Sequence, residues 1–378
     1  MAPPEMTSPI GIYVHIPFCT QKCRYCNFYS LPAGQAEIQR YFEALRRAIR
    51  GNRWIGREVD TVYFGGGTPP LLGAARLNTL LQDIKTQFAL SPDAELSLEA
   101  NPGSLAAAEL DMLRQGGFNR ISFGVQSADT QELAALGRMH TPQQAQAAVL
   151  AAKAAGFENI SLDLMLGIPR QTPESLARSI AFACALPVNH LSAYLLKLEP
   201  DTPLASQTGL LKMIADEDTL AQMYLCCVTQ LEQRGFLQYE ISNFSRPGCE
   251  SRHNLKYWRC EEYLGLGPAA HSFSGGRRQA FAPDLQRFCN AENPATLLQD
   301  TDDGGGLQEY AMLRLRLVEG LDLKQAARQF PAAPLEEILR RAKTLQAHGL
   351  LAVANHTIAL TARGFLLSNS VIAHLLFG

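Results

Sequence analysis

Three cysteines, Cys19, Cys23 and Cys26, stand in one short loop with the spacing C-x-x-x-C-x-x-C, directly after the apolar run from Ile10 to Phe18. Thiolates are the usual ligands of iron–sulfur clusters. Three of them are one short of a closed tetrahedral site, so they would hold a cluster and leave one iron open to another ligand. Two other readings compete: a zinc site completed by a distant side chain, and cysteines packed as small hydrophobes. The spacing after a strand-like run favours the cluster.

Other candidates recur at comparable points along the chain. They are the turn Gly65-Gly66-Gly67-Thr68-Pro69, then Glu99, Gln126, Arg138 and Asp163. A glycine run after a strand is often just a tight turn, although bare backbone also lets a polar ligand approach closely. Each of the four polar residues, taken singly, reads more often as a cap, an ion-pair partner or an exposed charge. Taken together, at the ends of neighbouring strands, they are what a ligand pocket needs.

The elements that would position them alternate. Strand-like runs are expected at Ile10–Ile16, Thr61–Phe64, Glu95–Glu99, Arg120–Val125, Ile160–Met165 and His190–Leu196. Helical patterns lie between and after them, at Gln35–Arg50, Leu71–Phe88, Leu105–Gln115, Gln131–Leu136, Pro142–Ala155, Pro173–Ala185 and Glu217–Arg234. Ser104, Thr141 and Thr172 read as helix caps, with Pro142 and Pro173 at the favoured first helical position. Six βα units in series predict an α/β fold whose parallel sheet is curled into a barrel or partial barrel, with the candidates gathered at the strand C-termini. A flat doubly wound sheet is the alternative.

After this region Tyr239–Phe244 is expected as one more strand, and Cys249–Arg278 shows little helical period. Asp300–Gly306 reads as a flexible hinge. Beyond it, helices are expected at Glu309–Leu317, Leu323–Phe330 and Leu335–Ala347, then a small hairpin around Asn355-His356 and a last helix from Thr361. The expected units are 1–238, 239–304 and 305–378.

In 378 residues, 47% are hydrophobic and 19% charged, enough apolar mass for a sizeable core. The net charge of −2 and the absence of a polybasic run argue against nucleic acid as a partner. Met1–Pro9 carries no secretory pattern, and no run of 18 apolar residues suggests a membrane span. Nine irregularly spaced cysteines then read as cytosolic thiols plus a metal site.

The cysteine loop, the Gly-Gly-Gly-Thr-Pro turn and the segments Glu99-Ala-Asn-Pro102, Gly124-Val-Gln-Ser127 and Asp163-Leu-Met-Leu-Gly167 resemble radical S-adenosylmethionine proteins of the coproporphyrinogen oxidase-like group, from about Ile10 to the C-terminus. The resemblance implies a partial (β/α)6 TIM-like radical SAM barrel with a small C-terminal winged-helix-like α/β module. It further implies that Cys19, Cys23 and Cys26 hold a 4Fe–4S cluster whose fourth iron binds the amino and carboxylate groups of S-adenosylmethionine. Reduction would then cleave the sulfonium to a 5′-deoxyadenosyl radical. Carried over residue by residue, Tyr13 would lie against the nucleoside and Gly66, Gly67 and Thr68 against the methionine end. Glu99, Gln126, Arg138 and Asp163 would supply the remaining contacts. A cationic ligand favours carboxylates, and its own carboxylate favours an arginine.

Two branches of that group differ at places this sequence can be checked. The coproporphyrinogen dehydrogenases have a further cysteine two positions after the third and a long N-terminal extension. Here that position is Phe28, and the first cysteine is already residue 19. The HemW haem-chaperone branch has phenylalanine there and an H-N-x-x-Y-W motif downstream. This chain is similar to it, with His253-Asn254-Leu-Lys-Tyr257-Trp258 followed by Tyr263 to His271. The implied protein is cytoplasmic, binds haem, passes it to apo-haemoproteins such as respiratory enzymes, forms a homodimer and touches a membrane at most transiently. A coproporphyrinogen dehydrogenase, or another radical enzyme of porphyrin metabolism, is the alternative. From the residues alone, His253 reads as a hydrogen-bonded loop organiser with Tyr257 and Trp258 as core. The resemblance makes it a haem-binding candidate, with His271 second. Cys184, Cys226, Cys227, Cys249, Cys260 and Cys289 are expected as core.

Overall fold

The computed structural model describes residues 8–378. The expectation of no secretory leader rests on residues 1–9, most of which lie outside that range. Six strands run parallel in chain order: β1 (Ile10–Ile16), β2 (Glu58–Gly66), β3 (Ala89–Ala100), β4 (Arg120–Gln126), β5 (Asn159–Leu166) and β6 (His190–Leu195). The helices after them are α1 (Gln35–Arg50), α2 (Ala74–Gln87), α3 (Ala107–Gly116), α4 (Thr130–Leu136), α5 (Pro142–Ala154), α6 (Pro173–Cys184), the single turn α7 (Thr208–Leu211) and α8 (Glu217–Glu232). Thr141 and Thr172 cap α5 and α6 with Pro at the first turn, as expected. Ser104 is not a cap. Its hydroxyl donates to the Asn101 carbonyl at 2.7 Å, and α3 begins later, after Ala106.

Within the strands, side chains alternate between two environments. Ile10, Ile12, Val14 and Ile16 are fully buried in the core that also holds Tyr41 and Leu45 of α1. Burying one such side chain contributes about 1.5–3 kcal/mol. The intervening positions meet on the other face. A Cβ on Gly11 would lie 2.9 Å from Thr61 Oγ1, Tyr63 donates to Glu99, and Ser122 donates to Asp163. The inner face is therefore polar, and its residues recur at i, i+2 and i+4.

The rest of the main sheet departs from expectation in three places. Tyr239–Phe244 is not one strand. The chain forms β7 (Leu237–Gln238) and β8 (Asn243–Ser245), with β8 antiparallel to β6. Tyr239 between them points to the inner face, where its hydroxyl meets His190 Nε2 at 2.8 Å. Cys249–Arg278 is ordered as α9 (Arg252–Trp258), β9 (Tyr263–Leu266), β10 (His271–Ser274) and β11 (Arg277–Ala280). β9 runs parallel to β1, so this segment extends the sheet on its other side. The expected hinge is the edge strand β12 (Gln299–Asp303), paired to β11 and carrying three aspartates. An acidic edge strand resists pairing with another chain, which is why a sheet-edge sequence looks like a linker.

The C-terminal module has helices at Leu307–Arg314, Leu323–Gln329 and Leu335–Ala347 and a three-stranded sheet of β13 (Leu321–Asp322), β15 (Thr357–Leu360) and β14 (Leu351–Ala354). Asn355 and His356, at φ 50° and 66°, make the tight hairpin turn between the last two strands. Two helices, Ala362–Leu366 and Ser368–Phe377, end the chain where one was expected. Among the described residues, no helix is long and apolar enough to cross a membrane.

Candidate functional site

One cavity of 470 Å³ lies at the C-terminal ends of β1–β6. The loop after β1 and Tyr194 of β6 both line it, which requires the sheet to curve into a partial barrel. Ten sequence candidates line this cavity: Cys19, Cys23, Cys26, Gly66, Gly67, Thr68, Glu99, Gln126, Arg138 and Asp163. Tyr13 and His253 do not.

The cysteine loop is held at both ends and from behind. Cys19 N–H donates to the Leu31 carbonyl at 3.1 Å, and Cys26 N–H closes a turn on the Cys23 carbonyl at 3.2 Å. Arg24 anchors the middle: its N–H donates to the Leu136 carbonyl and its own carbonyl accepts from Leu204 N–H. Its guanidinium also caps α4 through the Ala134 carbonyl at 3.3 Å. All three cysteines are free and partly exposed. Among the described residues, no three His, Cys, Asp or Glu side chains converge as they would on a single metal ion. A cubane does not need that convergence, because each thiolate binds a different iron. Three soft ligands on one wall of a cavity therefore fit a 4Fe–4S cluster with one iron facing the remaining space.

The glycine turn serves this loop directly. Gly67 N–H donates to the Ile16 carbonyl and Thr68 N–H to the Phe18 carbonyl, at 2.8 and 2.7 Å. A Cβ on Gly67 would sit 2.4 Å from the Phe18 carbonyl oxygen. Gly67→Ala is accordingly expected to displace the start of the cysteine loop, with a loss of about 1–3 kcal/mol in unfolding free energy and a lower iron content after cluster reconstitution. Wild-type iron content and stability in that variant would show that the close approach is dispensable. Thr68 Oγ1 lies 3.6 Å from Cys19 Sγ and accepts from Asn101 Nδ2 at 3.1 Å.

Arg138 is braced against the cysteine loop. One nitrogen donates to Cys23 Sγ at 3.3 Å, and another donates to Asn101 Oδ1 at 2.8 Å and to the Gly124 carbonyl. Gln126 sits at a bulge between β4 and β5 with φ 70°, a conformation rare for a residue with a side chain. That bulge turns it into the cavity.

The cavity floor carries two carboxylates. Burial, partly opposed by the Tyr63 hydrogen bond, pushes Glu99 up to about 7. Burial also raises Asp163, which Ser192 and Ser122 and the charge of Arg120 hold down. Paired acidic groups with a cluster loop opposite suit a ligand that carries positive charge at one end. Together with backbone groups on Gly66–Thr68 and the Arg138 guanidinium, the donor set fits S-adenosylmethionine.

Tyr13 and His253 lie elsewhere. Tyr13 is part-buried on the inner face, with its hydroxyl on His15 Nδ1 at 3.1 Å. His253 is the second residue of α9, which meets β1, β2 and β3 at Gly11, Thr61 and Glu95, below the cavity. Both of its ring nitrogens are engaged, by Thr61 at 2.9 Å and Tyr257 at 2.7 Å, and 1% of its surface is exposed. Burial, with the Lys256 and Arg120 charges, lowers it to about 3. The hydrogen-bonded role read from the residues alone is the one this geometry describes. His271 is exposed at the start of β10. Cys226, expected in the core, is exposed, while Cys227 is buried and Cys184, Cys249, Cys260 and Cys289 are half-buried.

Sequence reasoning passed over Tyr63, Arg120 and Ser122, which hold or line the floor. The signal was present. In a parallel sheet covered by helices, strands normally read as continuous apolar runs. Glu95-Leu-Ser-Leu-Glu99 and Arg120-Ile-Ser-Phe-Gly124 instead alternate polar and apolar residues.

The profile of the Radical SAM superfamily matches residues 13–183, and that of the HemN C-terminal domain residues 307–367. The Mycobacterium tuberculosis protein named Heme chaperone HemW is 38% identical to this chain, covering 99% of it and 96% of the relative. The Bacillus subtilis protein of that name is 35% identical, covering 95% and 97%. Among solved structures, coproporphyrinogen III oxidase (HemN) from Escherichia coli, a radical SAM enzyme, superposes with a TM-score of 0.84 at 25% identity, covering 98% of this chain and 90% of that one.

Proposed function

This chain belongs to the HemW family of radical S-adenosylmethionine proteins, and from that premise we propose that it is a haem chaperone, binding haem and passing it to apo-haemoproteins. The observation that carries the reading is likeness along nearly the whole chain to proteins named Heme chaperone HemW. Phe28 two positions after the third cysteine supports it against the dehydrogenase reading. In this proposal Cys19, Cys23 and Cys26 hold the 4Fe–4S cluster. Gly66, Gly67, Thr68, Glu99, Gln126, Arg138 and Asp163 receive S-adenosylmethionine. When bound, the two groups supply a sulfonium poised beside a reducible iron centre.

The chain's own contributions are separable. Glu99 and Asp163 offer acceptors to the cationic end of the ligand. Arg138 has two demands on it, the Cys23 sulfur and a ligand carboxylate, and links the two sites. In this proposal the 470 Å³ cavity receives the cluster and S-adenosylmethionine, and haem binds elsewhere on the chain. Direct ligation of haem iron by His253 would require breaking its bond to Thr61 or its bond to Tyr257. The homodimer belongs to the same proposal, as does a cytoplasmic setting, which suits nine free thiols.

Reconstituted full-length protein is expected to bind haem, hand it to an apo-haemoprotein and leave coproporphyrinogen III unchanged in the presence of S-adenosylmethionine and a reductant. Turnover of coproporphyrinogen III without haem binding would replace this proposal with the dehydrogenase reading.

A further inference from the structure

The H-N-x-x-Y-W segment covers the inner face of the sheet at the end away from the cavity, yet its histidine is two contacts from a cavity carboxylate. The His253 ring stacks on Tyr63, with centroids 5.2 Å apart and planes inclined by 25°. Tyr13 packs against both rings, at 6.2 Å from Tyr63 and 6.4 Å from His253. At its far end the Tyr63 hydroxyl donates to Glu99 Oε1 at 2.8 Å, while Glu99 Oε2 accepts from Gly66 N–H at 3.1 Å. His253 cannot swing away from this stack, because Thr61 and Tyr257 hold its two nitrogens and Tyr257 is itself packed edge-on against Tyr263 at 4.5 Å. Its backbone is fixed as well, by the Glu95 carboxylate on the N–H groups of Arg252 and His253.

We propose that His253 and Tyr63 are positioning residues for S-adenosylmethionine, a rigid stack that aims the Glu99 carboxylate into the cavity from the closed end of the sheet. The proposal rests on the reading of the cavity as the S-adenosylmethionine site. It accounts for a buried histidine with both nitrogens satisfied, which a ligand to iron would not have. It also gives the motif a role at the one site where this chain's chemistry is concentrated.

The electrostatics around Glu99 provide a readout that simple destabilisation would not move. Burial raises it, the Tyr63 hydrogen bond lowers it, Asp163 raises it, and Gly66 N–H and the Arg120 charge lower it. Tyr13 and Tyr257 face the same carboxylate. A ligand with a cationic sulfonium binds the ionised carboxylate better, so affinity rises as pH passes upward through about 7. Removing the hydroxyl that favours the ionised form moves this rise to higher pH.

The test is equilibrium binding of S-adenosylmethionine to the cluster-reconstituted full chain from about pH 6 to about pH 9, with thermal unfolding run alongside. Tyr63→Phe is expected to weaken binding about tenfold at neutral pH and to shift the profile upward. His253→Ala should weaken binding several-fold, His253→Phe should restore most of it by restoring the stack, and His253→Ala should matter less in the Tyr63→Phe background. Should His253→Ala not fold, Tyr63→Phe and His253→Phe still decide. Wild-type affinity and an unmoved pH profile in Tyr63→Phe, or His253→Phe binding as weakly as His253→Ala, would overturn the positioning role. Failure of the wild-type protein to take S-adenosylmethionine at all would instead overturn the reading of the site.

Discussion

Cys23→Ala is expected to leave the protein folded and without its cluster: no broad iron–sulfur absorbance after reconstitution, and iron content near background. The loop explains why the loss should be nearly complete. With three ligands one iron is already open; removing a thiolate opens a second and exposes the cluster to solvent and chelators. Cys23 is the informative choice of the three, because its sulfur also accepts from Arg138 at 3.3 Å. Folding should survive, since the loop's backbone is held through Leu31, Leu136 and Leu204 and not through the thiols. Iron analysis, absorbance and far-ultraviolet circular dichroism on one preparation check both halves. A fully loaded cluster in Cys23→Ala would require a different ligand set.

Arg120→Met should produce the largest loss of stability from any single change on the inner face. Arg120 is 2% exposed, in the middle of the polar face. Burial works against its charge, but Glu95 above all, and then Tyr63, Tyr239 and Asp163, hold its pKa up. Taking away one partner of a buried charge set leaves the others uncompensated, which typically costs about 3–5 kcal/mol. Here the groups left behind matter to more than stability. Glu95 anchors the N-terminus of α9 at 3.0 and 3.1 Å, and Asp163 lines the cavity. Denaturant unfolding at neutral pH measures the loss. The deficit should shrink in acid, as protonation of Asp163, whose carboxyl burial already pushes up, removes uncompensated charge. A loss below about 1 kcal/mol would show that the interior carboxylates are neutralised without the arginine.

How much of this was legible in advance follows the range over which each feature is decided. The six βα units were legible because strand and helix periodicity, Pro142 and Pro173 at first helical turns and the Thr141 and Thr172 caps all act within a few residues. The segments read wrongly have their local signal overridden by a distant partner. Gln299–Asp303 looks like a linker and becomes a strand because β11 offers it an edge. Tyr239–Phe244 alternates like one strand but is split so that Tyr239 can reach His190.

The same division runs through the site. The clustering of Cys19, Cys23 and Cys26 was decided by sequence alone, because C-x-x-x-C-x-x-C places three thiols in one loop whatever the rest of the chain does. The strand ends that would supply the other groups were likewise readable from βα order. Only the tertiary structure decided which side chains meet. Sheet register and curvature bring Arg138 onto Cys23 across 115 residues and Tyr63 onto Glu99 across 36. They also set the Tyr13 hydroxyl against His15 and bury His253 with both nitrogens taken. Spacing along a chain sets which groups are neighbours within a loop; for groups on different strands, only the pairing of those strands and the face each residue takes can set a distance.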